Sequence, residues 1–105
     1  MSGVFTTVAR TGDIPEKSLR VFLVEGRRVA VSRVEGAFYA IDDVCTHDDG
    51  PLGEGVLDGD QVECPRHGAR FSVKTGEALT MPAVTPVKVH LARVEGDRVQ
   101  VALRD

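Results

Sequence analysis

The sequence predicts an all-β fold, an antiparallel β-sandwich or barrel made of many short strands. Apolar residues make up 42% of the 105 residues, while aromatics number four Phe and one Tyr, so the core depends on Val, Leu, Ile and Ala. β-Branched residues of this kind favour strands. Turn signals recur about every 8–12 residues, and no segment shows a sustained helical apolar period. The length fits a single domain over residues 1–105.

Glycine-containing turns separate the predicted strands. Val-Glu-Gly occurs at residues 24–26, 34–36 and 94–96, and Asp58-Gly59 and Thr75-Gly76 are two further turn signals. Glycine accepts the positive φ that a tight reversal requires. The strands predicted between these turns lie near residues 4–9, 19–24, 28–34, 37–42, 55–58, 61–64, 71–73, 86–94 and 97–103.

The last two predicted strands show the clearest alternation of apolar and polar residues. Alternate residues from Val87 to Leu91 share one face, and those from Val99 to Leu103 share another. His90 then lies on the opposite face of its strand, so we expect it to be an exposed histidine and not a metal ligand. Residues 11–17 predict a loop with one helical turn.

Charge and terminal composition exclude several function classes. The net charge of −3 gives no basic patch for nucleic acid and no basic stripe for an anionic membrane. The N-terminal residues do not resemble a signal peptide, and aliphatic or aromatic runs such as residues 21–24 are far short of a membrane span. We therefore expect a cytoplasmic protein. In that reducing compartment Cys45 and Cys64 favour metal binding over a disulfide.

Cysteine and histidine occur together in two separate segments. Cys45-Thr46-His47 is followed, after sixteen intervening residues, by Cys64-Pro65-Arg66-His67. Zinc knuckles usually offer two cysteines from one loop, or two histidines from one helix. Here each loop offers one of each, which suits a pair of irons: one binds both cysteines and the other binds both histidines, as in a [2Fe–2S] centre with two histidine ligands. A zinc site on the same four residues, in a structural interaction module, is the alternative.

The surroundings of these loops are consistent with a cluster site. Glycines in both loops allow backbone N–H groups to approach sulfur, and Leu52 and Phe71 are candidates for apolar cover. From Asp42 to Glu63 there are eight acidic residues and no basic ones, half of the chain's acids. This acidic window is either a solvated loop or a charged collar that guides docking.

The two segments extend to Cys-Thr-His-Asp-Asp-Gly-Pro-Leu-Gly-Glu-Gly at 45–55 and Cys-Pro-Arg-His-Gly-Ala-Arg-Phe at 64–71. They resemble the Rieske signature, and the spacing of the whole chain is similar to the ferredoxins of bacterial ring-hydroxylating dioxygenases of the biphenyl type. The resemblance implies a Rieske-like fold whose small cluster-binding subdomain consists of two loops at about residues 43–72. It also implies one Rieske-type [2Fe–2S] cluster per chain. The ligands it implies are Cys45, His47, Cys64 and His67.

The same resemblance implies an electron carrier and not an enzyme. Such a soluble ferredoxin takes single electrons from a flavoprotein reductase and passes them to a terminal oxygenase, as a monomer, with no nucleic-acid or membrane partner. A nitrite reductase or an iron–sulfur assembly pathway is an alternative partner for a Rieske carrier. The segment Thr80-Met81-Pro82-Ala83 resembles a third loop that covers the cluster, with Pro82 as the candidate residue.

Departures from the respiratory Rieske branch indicate a low reduction potential. That branch carries an extra cysteine in each ligand loop, whereas the two cysteines of this chain are both assigned as ligands. It also carries a Ser and a Tyr where this chain has Ala69 and Phe71. Hydrogen bonds from hydroxyls to sulfur raise the potential, and nearby acids lower it. We therefore predict a reduction potential of about −150 mV and not of about +300 mV.

Overall fold

Nine short strands form nearly all of the regular structure in the part of the chain that the structure describes. The computed structural model describes residues 4–46, 50–65, 68–81, 83 and 85–104. All predicted strands are found, with ends within three residues of the prediction. In chain order they are β1 Thr6–Arg10, β2 Leu19–Val24, β3 Arg27–Val34, β4 Ala37–Asp42, β5 Val56–Asp58, β6 Gln61–Glu63, β7 Arg70–Ser72, β8 Val89–Glu95 and β9 Arg98–Ala102.

The strands form two antiparallel sheets. The larger sheet has the order β1-β9-β8-β4-β3-β2, and its edge strands β1 and β2 contact each other, so the sheet nearly closes into a barrel. The smaller sheet has the order β5-β6-β7. The predicted all-β class is therefore confirmed, and the small sheet is an insertion between β4 and β8 of the large one.

Two separate clusters of buried side chains follow from this arrangement. Strand β3 contributes to both: Val29 and Val31 belong to one cluster, and Ala30 and Val34 belong to the other. Because successive side chains of a strand point to opposite faces, β3 is buried on both sides. One of its faces therefore packs with residues of the small sheet.

Two-residue turns join the hairpins of the large sheet. The β2–β3 turn has φ of 51° at Glu25 and 81° at Gly26, and the β3–β4 turn has 52° at Glu35 and 80° at Gly36. Positive φ at both central residues is the pattern of a type I′ turn, whose twist matches that of paired strands. The Val-Glu-Gly segments at 24–26 and 34–36 thus form the predicted tight turns.

Two short 3₁₀ helices complete the regular structure of the described residues. Thr11–Asp13 confirms the helical turn predicted after β1, and Leu52–Glu54 precedes β5. No helix within the described ranges has the length and apolar character needed to cross a bilayer.

Candidate metal centre

The β5–β6 hairpin brings the two cysteine-containing segments together. The first segment runs from the end of β4 to the start of β5, and the second joins β6 to β7. Val56 pairs with Glu63, so Gly55 lies close to the residue that precedes Cys64. A Cβ atom at Gly55 would meet the Glu63 carbonyl oxygen. Only glycine allows this close approach, which holds the end of the first loop against the start of the second.

The backbone of each cysteine closes its own loop in the same way. The Cys45 N–H donates to the Gly50 carbonyl at 2.7 Å, and the Cys64 N–H donates to the Ala69 carbonyl at 2.7 Å. In both cases the acceptor lies five residues after the cysteine. In the second loop the Gly68 N–H also donates to the Cys64 carbonyl at 3.0 Å. In sequence, His47 and His67 each fall between the two residues that close their loop.

Both cysteines are buried in one apolar cluster. Cys45 is 0% exposed and Cys64 is 1% exposed, and both belong to the cluster that includes Leu52 and Phe71. Leu52 and Phe71, the candidates for apolar cover, are thus fully buried in the same cluster of side chains as the two thiol groups. Surroundings of low polarity limit the access of solvent to any metal bound by these sulfurs.

The predicted histidine ligands lie outside the described residues. His47 falls in the gap at 47–49 and His67 in the gap at 66–67. Without them, no group of three or more His, Cys, Asp or Glu side chains in the described ranges is placed to hold a metal ion. The structure thus places the two predicted cysteine ligands in one buried cluster. It describes the chain up to Thr46 and from Gly50 around the first histidine, and up to Pro65 and from Gly68 around the second.

Thr80 of the predicted third loop contacts the strand that follows the second cysteine-containing segment, and Thr85, just after that loop, contacts the first segment. The Thr46 hydroxyl donates to the Thr85 carbonyl at 2.6 Å, and the Arg70 N–H donates to the Thr80 hydroxyl at 2.9 Å. Ala83 is buried in the same cluster as the cysteines. These contacts place residues 80, 83 and 85 beside the candidate centre. Pro82 itself lies outside the described residues.

A buried carboxylate at the start of the first loop was not predicted as part of the site. The Asp43 side chain accepts hydrogen bonds from the Gly53 N–H at 2.5 Å and from Arg28 Nε at 3.0 Å. A signal for this pair does exist in the sequence. Counting outward along both strands from the Glu35-Gly36 turn brings Arg28 opposite Asp43.

Four of the eight acids in the acidic window form ion pairs with arginines. Asp42 pairs with Arg27, Asp43 with Arg28, and both Asp58 and Glu63 with Arg70. The hydrogen bond to Asp58 and the charge of Glu63 raise the pKa of Arg70. The window contains no basic residue, but the strands bring arginines from outside it against its carboxylates.

The prediction that His90 is exposed is wrong. His90 is 3% exposed, whereas Leu91 beside it is 38% exposed. His90 Nε2 lies 2.6 Å from Asp42 Oδ1, and the Arg104 N–H donates to His90 Nδ1 at 3.0 Å. With both ring nitrogens paired, the imidazole is accommodated inside the protein and the neighbouring leucine faces outward.

Comparison with known proteins agrees with this fold and with the paired cysteine loops. Residues 4–91 match the Rieske [2Fe–2S] domain, and the chain belongs to this family. It is 41% identical over 91 residues to the ferredoxin component of the naphthalene 1,2-dioxygenase system of Pseudomonas aeruginosa, covering 87% of this chain and 88% of that protein.

Two further proteins are similar over nearly their whole length. The chain is 38% identical over 98 residues to the ferredoxin component of biphenyl 2,3-dioxygenase of Rhodococcus jostii, covering 93% of this chain and 92% of that protein. A solved complex of reduced oxygenase and oxidized ferredoxin in carbazole 1,9a-dioxygenase contains a chain that is 38% identical. It superposes with a TM-score of 0.90, covering 94% of this chain and 93% of that chain.

The cofactor of this chain is a Rieske-type [2Fe–2S] cluster. The described part of the site fits it. Two buried thiols, in neighbouring loops closed by matching hydrogen bonds, supply the sulfur half of the ligand set. The remaining two positions of such a centre require imidazole, and each loop has a histidine in sequence between its closing residues.

Proposed function

We propose that this protein is the ferredoxin component of an aromatic-ring dioxygenase system, a low-potential carrier of single electrons from a flavoprotein reductase to a terminal oxygenase. The observation that carries the proposal is the burial of Cys45 and Cys64 in two paired loops of a Rieske domain. Relatives of known role support it, because they are ferredoxin components of such systems. The protein transfers electrons and does not itself catalyse oxygenation.

We further propose that Cys45 and Cys64 bind one iron of the cluster and that His47 and His67 bind the other. When bound, the cluster accepts and donates one electron at a time. The chain supplies two thiolates in an apolar environment, and it supplies an imidazole in each loop. The second ring nitrogen of each histidine is proposed to face solvent, which shortens the path of the electron to a docked partner.

The side chains beside the sulfurs support a low reduction potential. Ala69 and Phe71 are both fully buried in the cluster of residues that contains the two cysteines. Neither side chain has a hydroxyl group, so neither can donate a hydrogen bond to sulfur. The reduced, more electron-rich state is therefore less stabilised than in a centre that has these hydroxyls.

The organisation we propose is a single Rieske domain over residues 1–105, with the cluster-binding loops at about residues 43–72. It acts as a monomer that docks transiently with the reductase and then with the oxygenase. We place it in the cytoplasm, where the thiols of Cys45 and Cys64 stay reduced and available to iron.

Reconstitution of electron transfer tests this function. The purified, loaded protein is mixed with the reductase and the terminal oxygenase of a naphthalene or biphenyl dioxygenase system, with NADH, oxygen and the aromatic substrate. We expect product formation to depend on this protein and to stop when it is omitted or replaced by its Cys45→Ala variant. Reduction by the reductase without delivery of electrons to the oxygenase would contradict the assigned acceptor.

A further inference from the structure

Asp43 links the two ends of the first cluster-binding loop. It directly follows β4, and its Oδ1 accepts the N–H of Gly53 at 2.5 Å, on the far side of the loop. The Asp43 side chain is 0% exposed. The segment that this hydrogen bond closes, residues 44–52, contains Cys45 and His47.

Arg28 fixes the orientation of this buried carboxylate. Its Nε and Nη2 lie 3.0 and 2.9 Å from Asp43 Oδ2, and its carbonyl accepts the Asp43 N–H at 3.1 Å. A guanidinium that donates through two nitrogens restricts both the position and the rotation of its partner. Because Arg28 belongs to β3, which lies between β2 and β4, the loop is tied to the large sheet.

The packing at Gly53 leaves no room for the loop end to shift towards the sheet. A Cβ atom at Gly53 would meet Val21 Cγ2 and Asp43 Oδ1. The amide of Gly53 is thus held between β2 and the buried carboxylate. The Asp43–Gly53 hydrogen bond is therefore held in place by residues of β2 and β3 and by the end of β4.

We propose that Asp43 and Arg28 are positioning residues that set the geometry of the loop carrying Cys45 and His47 and so slow the loss of the cluster. This inference rests on the proposed function, because it assumes that this loop binds the cluster. Fixing the two ends of a loop lowers the number of conformations open to it, which favours the ligand geometry before and after iron binds.

The Arg28→Met variant of the loaded protein tests the proposal. The rate of cluster loss is measured as the decay of visible absorbance after addition of an iron chelator, and exchange of the Gly53 amide proton is followed by NMR in the diamagnetic zinc-substituted protein or by mass spectrometry. We expect both rates to rise, cluster loss by about tenfold, as is typical when a group that supports metal ligands is removed. Arg28→Lys keeps the charge but loses the forked geometry, so we expect an intermediate rate.

Arg27→Met is the matched control. Arg27 is the neighbouring residue on β3 and pairs with Asp42, the neighbouring acid, whose carboxylate contacts His90 of β8. We expect its rate of cluster loss to stay close to that of the unchanged protein. Equal rates for Arg28→Met and Arg27→Met, or an unchanged Gly53 exchange rate in Arg28→Met and Arg28→Lys, would overturn the positioning role. A starting protein that binds no iron–sulfur cluster would instead refute the proposed function.

Discussion

Ala69 and Phe71 are the single side chains that we predict to influence the reduction potential. Ala69 directly follows the second loop, and its carbonyl accepts the Cys64 N–H at 2.7 Å. Phe71 is fully buried in the same cluster as both cysteines. A hydroxyl introduced at either position would therefore lie among the buried neighbours of the sulfur ligands.

We expect the double variant Ala69→Ser/Phe71→Tyr to have a higher reduction potential. Each hydroxyl that hydrogen-bonds sulfur stabilises the reduced state more than the oxidised state. A preference of about 1.4 kcal/mol corresponds to about 59 mV for a one-electron couple. The potential is measured by redox titration or protein-film voltammetry. Phe38→Tyr, the same chemical change in the other buried cluster, is the control. No upward shift beyond that of the control would contradict our interpretation of residues 69 and 71.

The three histidines are expected to respond differently to substitution. His47→Ala and His67→Ala should each abolish cluster retention or change the spectrum, because each removes an imidazole ligand. His90→Ala should retain the spectrum but lower the free energy of unfolding by about 1–3 kcal/mol, since Asp42 and the Arg104 N–H lose a buried partner. Visible absorbance and thermal unfolding distinguish these outcomes. An unchanged Rieske spectrum in His47→Ala or His67→Ala would exclude that residue as a ligand.

At the scale of elements, Glu16 stabilises the turn between β3 and β4. Its carboxylate accepts the N–H groups of Glu35 and Gly36 at 2.6 and 2.8 Å. The Gly36 hydrogen bond is the main cause that lowers the pKa of Glu16 below its ordinary value of 4.5, and Arg33 and Lys17 add to it. Two N–H groups of the turn are thus satisfied by a carboxylate from a distant part of the chain.

The lowered pKa of Glu16 predicts how its contribution to stability depends on pH. A carboxylate whose pKa is lowered by folding stabilises the protein above its unfolded pKa, and the contribution disappears as pH falls through the folded pKa. Glu16→Gln should therefore unfold at a lower temperature than the unchanged protein at pH 7. The difference should shrink only below about pH 4.5, its ordinary value. Glu25→Gln, in the β2–β3 turn, is the control. A difference between Glu16→Gln and the unchanged protein that is independent of pH would contradict the role of the charge.

Local turn and strand patterns predict most of the elements, because the interactions that form them are local. The Glu25-Gly26 and Glu35-Gly36 turns could be predicted from the residue types that accept positive φ. The pairing of β1 with β9 could not be predicted from local pattern, since it joins the two ends of the chain. The prediction that His90 is exposed was wrong because apolar alternation alone cannot show that His90 has a partly buried carboxylate partner.

At the scale of the whole molecule, charge is more balanced than the acidic window indicates. Arginines at 27, 28 and 70 pair with four of its carboxylates. Paired charges produce a weaker field at a distance than the same number of single charges. The net charge of −3 therefore describes the long-range field better than the acidic window does.

We accordingly expect only a modest effect of salt on reduction by the reductase. Raising the ionic strength from about 0.1 M to about 1 M shortens the Debye length from about 10 Å to about 3 Å. The second-order rate constant should fall by less than about tenfold, the lower limit for strong electrostatic steering. Stopped-flow measurements at several salt concentrations test this. Arg70→Gln, which removes the arginine that pairs with Asp58 and Glu63, should increase the dependence. A fall of about a hundredfold in the unchanged protein would show that docking depends on a strong acidic surface.

The sequence predicts the cysteine loops of the candidate site better than the hydrogen bonds that hold these loops in place. The Cys-x-His and Cys-x₂-His spacing identifies both cysteine loops, because ligand geometry depends on residue type and local spacing. The Asp43–Gly53 bond and its Arg28 partner depend on strand register and on a close approach at glycine, which single-residue patterns do not show. The position of Arg28 opposite Asp43 can be counted from the Glu35-Gly36 turn, but the close approach of Gly53 becomes visible only when the sheet is assembled.

Two cysteines and two histidines are the proposed ligands of the cluster. Pulsed electron paramagnetic resonance of the reduced protein, labelled with ¹⁵N only in histidine, detects the nitrogen ligands. We predict strong ¹⁵N couplings from two histidines, with one lost in His47→Ala or His67→Ala wherever the cluster is retained and both present in His90→Ala. A loaded protein without strongly coupled histidine nitrogen, or one that contains a single zinc ion and no inorganic sulfide, would contradict the assignment of Cys45, His47, Cys64 and His67.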